Sequence, residues 1–277
     1  MTEKDCSRIL SNTNKSVENA MNLRKGKVMI KMDLSLLSAH ILPALAIFVA
    51  AFMQGITGFG LVIIAAPLLM LFYDPKQAIL LMFVVGLFMS IMQAFLVRRD
   101  AQYKLIGVLF VGFLLAQPVG LWIFTHFSAD QLKLLVSTVL LVSLLLMQFT
   151  HHRFSLCHRN SLIAGFLSGI CGSTTGMGGP PLILYLAYTK MTPAQLRGTS
   201  VIFFLFSGML SIAYFMANGV SMTKAAAESI YMLPALVVGL LLGNAAAHHV
   251  SVKLFRFMIF FMLYFICAYM FYSLLVG

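Results

Sequence analysis

The chain has 277 residues, of which 61% are hydrophobic and only 10% charged. Soluble domains carry roughly 25% charged residues, and a mean hydropathy of +0.96 cannot be hidden in a soluble core of this length, so much of the surface faces lipid. The net charge of +11 does not mark a nucleic-acid binder: seven basic residues precede Leu36 and the other twelve are scattered over short loops, where they act as topology signals.

Residues 1–35 form a polar, basic tail that is expected to be disordered, and residues 1–31 are expected to contribute nothing to folding. It has no apolar core and no small-residue cleavage site, so it does not look like a cleavable signal peptide. Met29 and Met32 stand just before the first hydrophobic run as alternative starts.

Apolar runs near 36–57, 59–73, 77–97, 104–125 and 131–149 predict a first membrane repeat over 36–149. A polar linker follows over 150–159. Runs near 160–171, 179–190, 197–217, 228–247 and 252–276 predict a second repeat over 160–277. The fold class is therefore all-α: a polytopic transmembrane bundle of about 8–10 segments in two tandem repeats.

Two stretches do not divide into ordinary spans. Residues 34–73 and 160–189 lack Lys, Arg, Asp and Glu for 40 and 30 positions. A full span needs about 20 residues, so thirty are too many for one and too few for two with a turn. Both stretches hold a glycine cluster near the middle. Broken helices meeting at glycine-rich turns satisfy both facts, with irregular backbone surrounded by protein or a water-filled cavity.

The stretches are also copies. At a shift of 114, Ala50, Phe52, Gly55, Ile56, Gly58, Pro67 and Leu68 fall on Ala164, Phe166, Gly169, Ile170, Gly172, Pro181 and Leu182. After a small gap Pro75 and Gln77 fall on Pro193 and Gln195. About five segments per half would invert the second copy relative to the first. Nine basic loop residues, Arg98 and Arg197 among them, fall on one side, and Lys76, Lys133 and Lys224 on the other. The positive-inside rule puts the richer side in the cytoplasm; the basic tail runs against that assignment.

Chemistry concentrates at the two turns. The first reads Gln54-Gly55-Ile56-Thr57-Gly58-Phe59-Gly60. The second runs from Ser168 through Gly172, Ser173, Thr174, Thr175, Gly176, Gly178 and Gly179 to Pro180-Pro181. Four glycines in eight positions do not suit a helix interior. Such turns expose backbone N–H groups at the start of the next helix, where the partial positive charge suits an anion. The competing reading is that small residues merely let helices pack. Gln93, Gln117 and Gln148 inside apolar runs read first as helix–helix hydrogen-bond partners. The histidines sit at segment ends, and Trp122 reads as an interfacial anchor. The cysteines form no framework and no metal motif. Ser173 as the nucleophile of an intramembrane enzyme would need a base in reach, and no histidine or lysine lies deep in a segment.

On these motifs the chain resembles the sulfite exporter TauE/SafE family, also called the 4-toluene sulfonate uptake permease family. The resemblance rests on Gln54 to Gly60 with Pro67-Leu68-Leu69, and on the glycine run ending Gly178-Gly179-Pro180-Pro181. It extends to Thr192-Pro193-Ala194-Gln195-Leu196-Arg197-Gly198-Thr199, and the duplicated pattern covers about 36–276. Where many relatives carry an asparagine a turn or two after Thr199, this chain runs from Val201 to Ser207, leaving Ser207 as the nearby polar candidate. The resemblance implies a multi-pass transporter of the bacterial inner membrane, moving sulfite, a sulfonate or a related sulfur anion.

Combined, these readings make Gln54, Gly55, Thr57, Gly58, Gly60, Ser168, Gly172, Ser173, Thr174, Gly178, Gly179 and Thr199 the candidate substrate-binding residues. The expected partners are a small anionic solute and the lipid bilayer, with no nucleic acid and with homo-oligomer formation left open. No enzyme activity, cofactor or metal is expected. A non-transporting assembly factor is the alternative.

Overall fold

The computed structural model describes residues 40–56, 61–149, 157–189 and 191–246, together with 264, 265, 267–269 and 272. The chain divides into residues 1–42 and 43–277, and the architecture below is that of the second unit. The expected tail, most of the linker and the turn at 57–60 lie outside the described residues.

Among the described residues there are nine named helices and no strand. They are α1 (His40–Ile56), α2 (Leu61–Leu69), α3 (Pro75–Val97), α4 (Tyr103–His126), α5 (Ala129–Phe149), α6 (His158–Thr175), α7 (Gly179–Ala187), α8 (Pro193–Ala217) and α9 (Thr223–Ala246). Five of them, α3, α4, α5, α8 and α9, are long and apolar enough to cross a membrane. The protein is an all-α polytopic bundle. Helix α6 starts at His158, inside the segment expected as linker. At both glycine clusters a helix outside those five, α1 or α6, is followed by a helix of only nine residues, so among the described residues each charge-free stretch holds two separate helices.

The helix starts are written locally. Asp74 accepts from the Lys76 N–H, with Pro75 in the first turn of α3. Thr192 and Gln195 form a capping box ahead of α8, with Pro193 in its first turn. Proline has no N–H to lose there and its φ is already helical. Pro75 and Pro193 both stand in the first turn of their helices, but Gln195 closes a capping box while the Gln77 Nε2 has no hydrogen-bond partner among the described residues. Thr192→Ala should lower stability by about 1 kcal/mol, read as a drop in the thermal midpoint of the detergent-solubilised protein. A midpoint equal to wild type would mean the cap contributes nothing.

Close helix crossings join the two halves of the sequence. Helix α6 lies against α4, where a methyl on Gly169 would come within 2.6 Å of the Ala116 Cβ and one on Gly165 would run into the Leu109 carbonyl. Helix α1 meets α9 in the same way, at Phe52 against Gly243. Helices α3 and α8 also pack on each other. Without a hydrophobic drive between lipid-facing helices, backbone approach of this kind supplies the packing energy.

Charges sort to the two ends. The Gln102 N–H donates to Thr199 Oγ1 at 3.1 Å, so the α3–α4 turn and the start of α8 share one end. Ser161 Oγ and Tyr185 Oη, 2.9 Å apart, bring the start of α6 to the end of α7. Arg98, Arg99, Lys104, Arg159 and Arg197 belong to this end. At the other, Lys76 Nζ donates to the Thr125 carbonyl and Tyr73 Oη donates to Glu228 at 3.1 Å. Burial and then the Glu228 carboxylate hold the Tyr73 phenol well above its ordinary pKa.

Candidate functional site

One carboxamide links α1, α2 and α3 beside the first glycine cluster. Gln54, near the end of α1, accepts the Leu61 N–H of α2 on Oε1 at 3.0 Å. A backbone N–H can only donate, so this bond fixes which end of the amide is which. The Gln54 Nε2 then donates to Gln93 Oε1 on α3, also at 3.0 Å. Gln93 is 1% exposed, and its Nε2 has no hydrogen-bond partner among the described residues.

The second turn is braced with the opposite polarity. Ser168 stands 114 residues after Gln54, the shift at which the two stretches align in sequence, and its Oγ donates to the Gly178 carbonyl at 2.6 Å. Gly176 ends α6 in the left-handed region at φ 70°, a conformation that costs glycine little. Prolines 180 and 181 occupy the first turn of α7 and remove two of the donors that a helix N-terminus usually offers. The first turn of α2 holds no proline, so the two turns are unequal as anion donors.

Between the turns lies a cavity of about 80 Å³. A single water needs about 10–15 Å³ of such space, so a small polyatomic ion fits. Its polar wall is Gln54, Ser90, Ser168, Ser207 and Ser211, with the backbone of Gly86, Gly172, Gly176, Gly178, Gly179 and Gly208. Met82, Phe83, Met89, Phe113, Ile183 and Phe204 supply much of the apolar wall. Every polar side chain on this wall is neutral.

Five of the twelve sequence candidates meet on this wall: Gln54, Ser168, Gly172, Gly178 and Gly179. Four others have partners elsewhere. Gly55 lies where a Cβ would sit 2.7 Å from the Asn244 backbone N. The Ser173 hydroxyl donates to Gln117 Oε1 at 3.1 Å. The Thr174 hydroxyl turns back to the Ile170 carbonyl at 2.7 Å, and Thr199 accepts the Gln102 N–H. Thr57, Gly58 and Gly60 lie outside the described residues.

Gly178 is also a packing position, since a Cβ there would come within 2.9 Å of the Ser168 carbonyl. Gln93 and Gln117 do act as interhelical hydrogen-bond partners, the latter accepting from Ser173 and, at 3.5 Å, from Ser211. Gln148 accepts from Tyr264 Oη.

Sequence reasoning singled out Ser207 and passed over Ser90, Ser211 and Gly86. Ser207 and Ser211 are one helical turn apart on α8, so a signal existed in the i, i+4 spacing of hydroxyls in an apolar helix. Gly86 carried no motif.

No curated protein and no solved structure matches the sequence. The family model described as Sulfite exporter TauE/SafE matches residues 43–270, which takes in α2 to α9 and both turns around the cavity. That is most of a chain with five helices long and apolar enough to span a bilayer, and it makes this multi-pass membrane protein a member of the sulfite exporter TauE/SafE family, a family of transporters.

Proposed function

We propose that the protein is a secondary transporter of a small sulfur oxyanion, sulfite or a close relative, across the inner membrane. The carrying observation is the neutral, donor-bearing cavity between the two short helices. The serine hydroxyls now donate to carbonyl and carboxamide oxygens and can rotate to donate to an anion, whereas a cation would meet no carboxylate among the described lining residues. Two short helices meeting at a buried site is the arrangement by which inverted-repeat transporters hold ions. The halves 36–149 and 160–277 fit that scheme, with the Arg98 and Arg197 end in the cytoplasm by the positive-inside rule.

Flux into proteoliposomes tests the reading, with sulfite, thiosulfate, sulfate and an alkyl sulfonate offered in turn. Sulfite or a close relative should move saturably, and Ser207→Ala should raise its KM by roughly threefold to tenfold, the worth of one lost hydroxyl donor. A protein that transports none of the four is not a sulfur-anion carrier. The enzyme alternative gains nothing from Ser173, whose hydroxyl is bound to a carboxamide oxygen that cannot serve as the base a nucleophile needs.

A further inference from the structure

A cationic group near the cavity lacks a counter-charge. Arg197, in the second turn of α8, is partly buried. Its Nη2 donates to Asn244 Oδ1 on α9 at 3.0 Å, and its Nε is buried without an acceptor among the described residues. After residue 35 the chain has only four acids, Asp74, Asp100, Asp130 and Glu228. Asp74 caps α3 and Glu228 accepts from Tyr73, both at the opposite end of the bundle. Asp130 opens α5, and Asp100 is exposed in the α3–α4 turn. None is ion-paired with Arg197 among the described residues.

An amide oxygen satisfies one N–H without supplying charge. Taking a guanidinium partly out of water therefore stays costly until an anion arrives. Arg197 is also well placed to meet one. A methyl on Gly55, next to the cavity residue Gln54, would come within 2.7 Å of the Asn244 backbone N. Phe204 and Ser207 of the cavity wall follow seven and ten residues further along α8, about 10 and 15 Å at the helical rise. The surrounding end carries Arg98, Arg99, Lys104 and Arg159, which raises the local concentration of anions.

We propose that Arg197 is the anion-receiving residue at this end of the transport path. Its unpartnered Nε edge takes an oxygen of the oxyanion as it moves to or from the cavity, while Asn244 holds the guanidinium in orientation. This rests on the transporter reading above. The rival account is that Arg197 only staples α8 to α9, and then the side chain matters through its bond to Asn244.

The experiment compares Arg197→Gln, Arg197→Lys and Asn244→Ala in proteoliposomes, measuring the KM for sulfite at low and high ionic strength, with thermal midpoints in detergent. Arg197→Gln should raise KM by about tenfold or more, as for a lost charge-assisted hydrogen bond, and flatten the dependence of KM on salt. Arg197→Lys should keep the salt dependence but raise KM, because an ammonium lacks the guanidinium fork. Asn244→Ala, which breaks the staple and leaves the charge, should shift KM less than Arg197→Gln. A KM and salt dependence equal to wild type in Arg197→Gln would overturn the inference while leaving the transporter reading intact. So would equal changes in KM and thermal midpoint for Arg197→Gln and Asn244→Ala. Should Arg197→Gln fail to assemble, Arg197→Lys decides: an unchanged KM overturns the role. Wild-type protein that carries no sulfur oxyanion would remove the transporter reading and this inference with it.

Discussion

Gly86→Leu should abolish transport in a protein that is at least as stable as wild type. Gly86 lies mid-helix on α3 and lines the cavity, and the space where its Cβ would stand is open, with no atom within 4 Å. A leucine there meets no backbone and takes up room in the cavity assigned to the solute. Glycine in a helix interior costs about 0.5–1 kcal/mol relative to alanine, so the replacement also favours the helix. Loss of function and gain of stability are therefore expected together, which few blocking substitutions offer. Flux in proteoliposomes should fall to background, and the thermal midpoint should hold or rise. Gly86→Ala, with one added carbon, should keep the stability gain and part of the flux. Full transport by a folded Gly86→Leu protein would place the solute path elsewhere.

Gln54→Leu is expected to be the most destabilising single change at the turns. It takes the acceptor from the Leu61 N–H and the donor from Gln93 Oε1 at once. Each buried group left unpaired costs about 1–3 kcal/mol, so the loss should reach about 2–6 kcal/mol. Gln93→Leu should cost less. It also removes the Gln93 Nε2, which has no partner among the described residues and contributes a standing penalty. Adding Gln93→Leu to Gln54→Leu should then recover part of the loss, because a carbonyl with no donor disappears with it. Denaturant titrations of the three variants read these differences directly. Simple additivity of the two single changes would show that the carboxamides are not coupled.

Both predictions turn on residues that differ in how visible they are from the sequence. The membrane class was legible because it depends on composition, and hydropathy averages over whole segments. The long helices were legible for a related reason, though the apolar runs at 77–97 and 197–217 begin two and four residues after the observed starts at Pro75 and Pro193. Asp74-Pro75 and Thr192-Pro193 act on the N–H groups two or three residues away, so their effect needs no tertiary context. The paired short helices followed from counting: charge-free runs of 40 and 30 residues with glycines at the centre leave few other solutions. The membership indicated by the motifs at Gln54 and at Gly178-Gly179-Pro180-Pro181 holds over residues 43–270.

The composition of the cavity wall was decided by tertiary structure. Ser173, Thr174 and Thr199 share the chemistry of Ser168, Ser207 and Ser211. All six hydroxyls have a partner within the bundle, be it a carboxamide, a helix carbonyl or a neighbouring turn, yet of the six only the last three stand on the cavity wall. A hydroxyl in an apolar helix bonds whichever acceptor its rotamer and the adjacent helix bring within 3 Å or so, and sequence encodes neither the crossing angle nor the facing residue. Gly86 and Gly165 are alike in sequence terms, yet one faces open space and the other a carbonyl of α4. The same holds for charge. Composition announces that acids are scarce, but only the folded chain shows that Arg197 meets an asparagine of α9 where an acid would have cancelled its charge. Local rules fixed which segments are helical and where they begin, because capping and hydropathy act within a few residues. The cavity and its neutral lining arise where α1, α2, α3, α4, α6, α7 and α8 converge, and that convergence is a property of the assembled bundle alone.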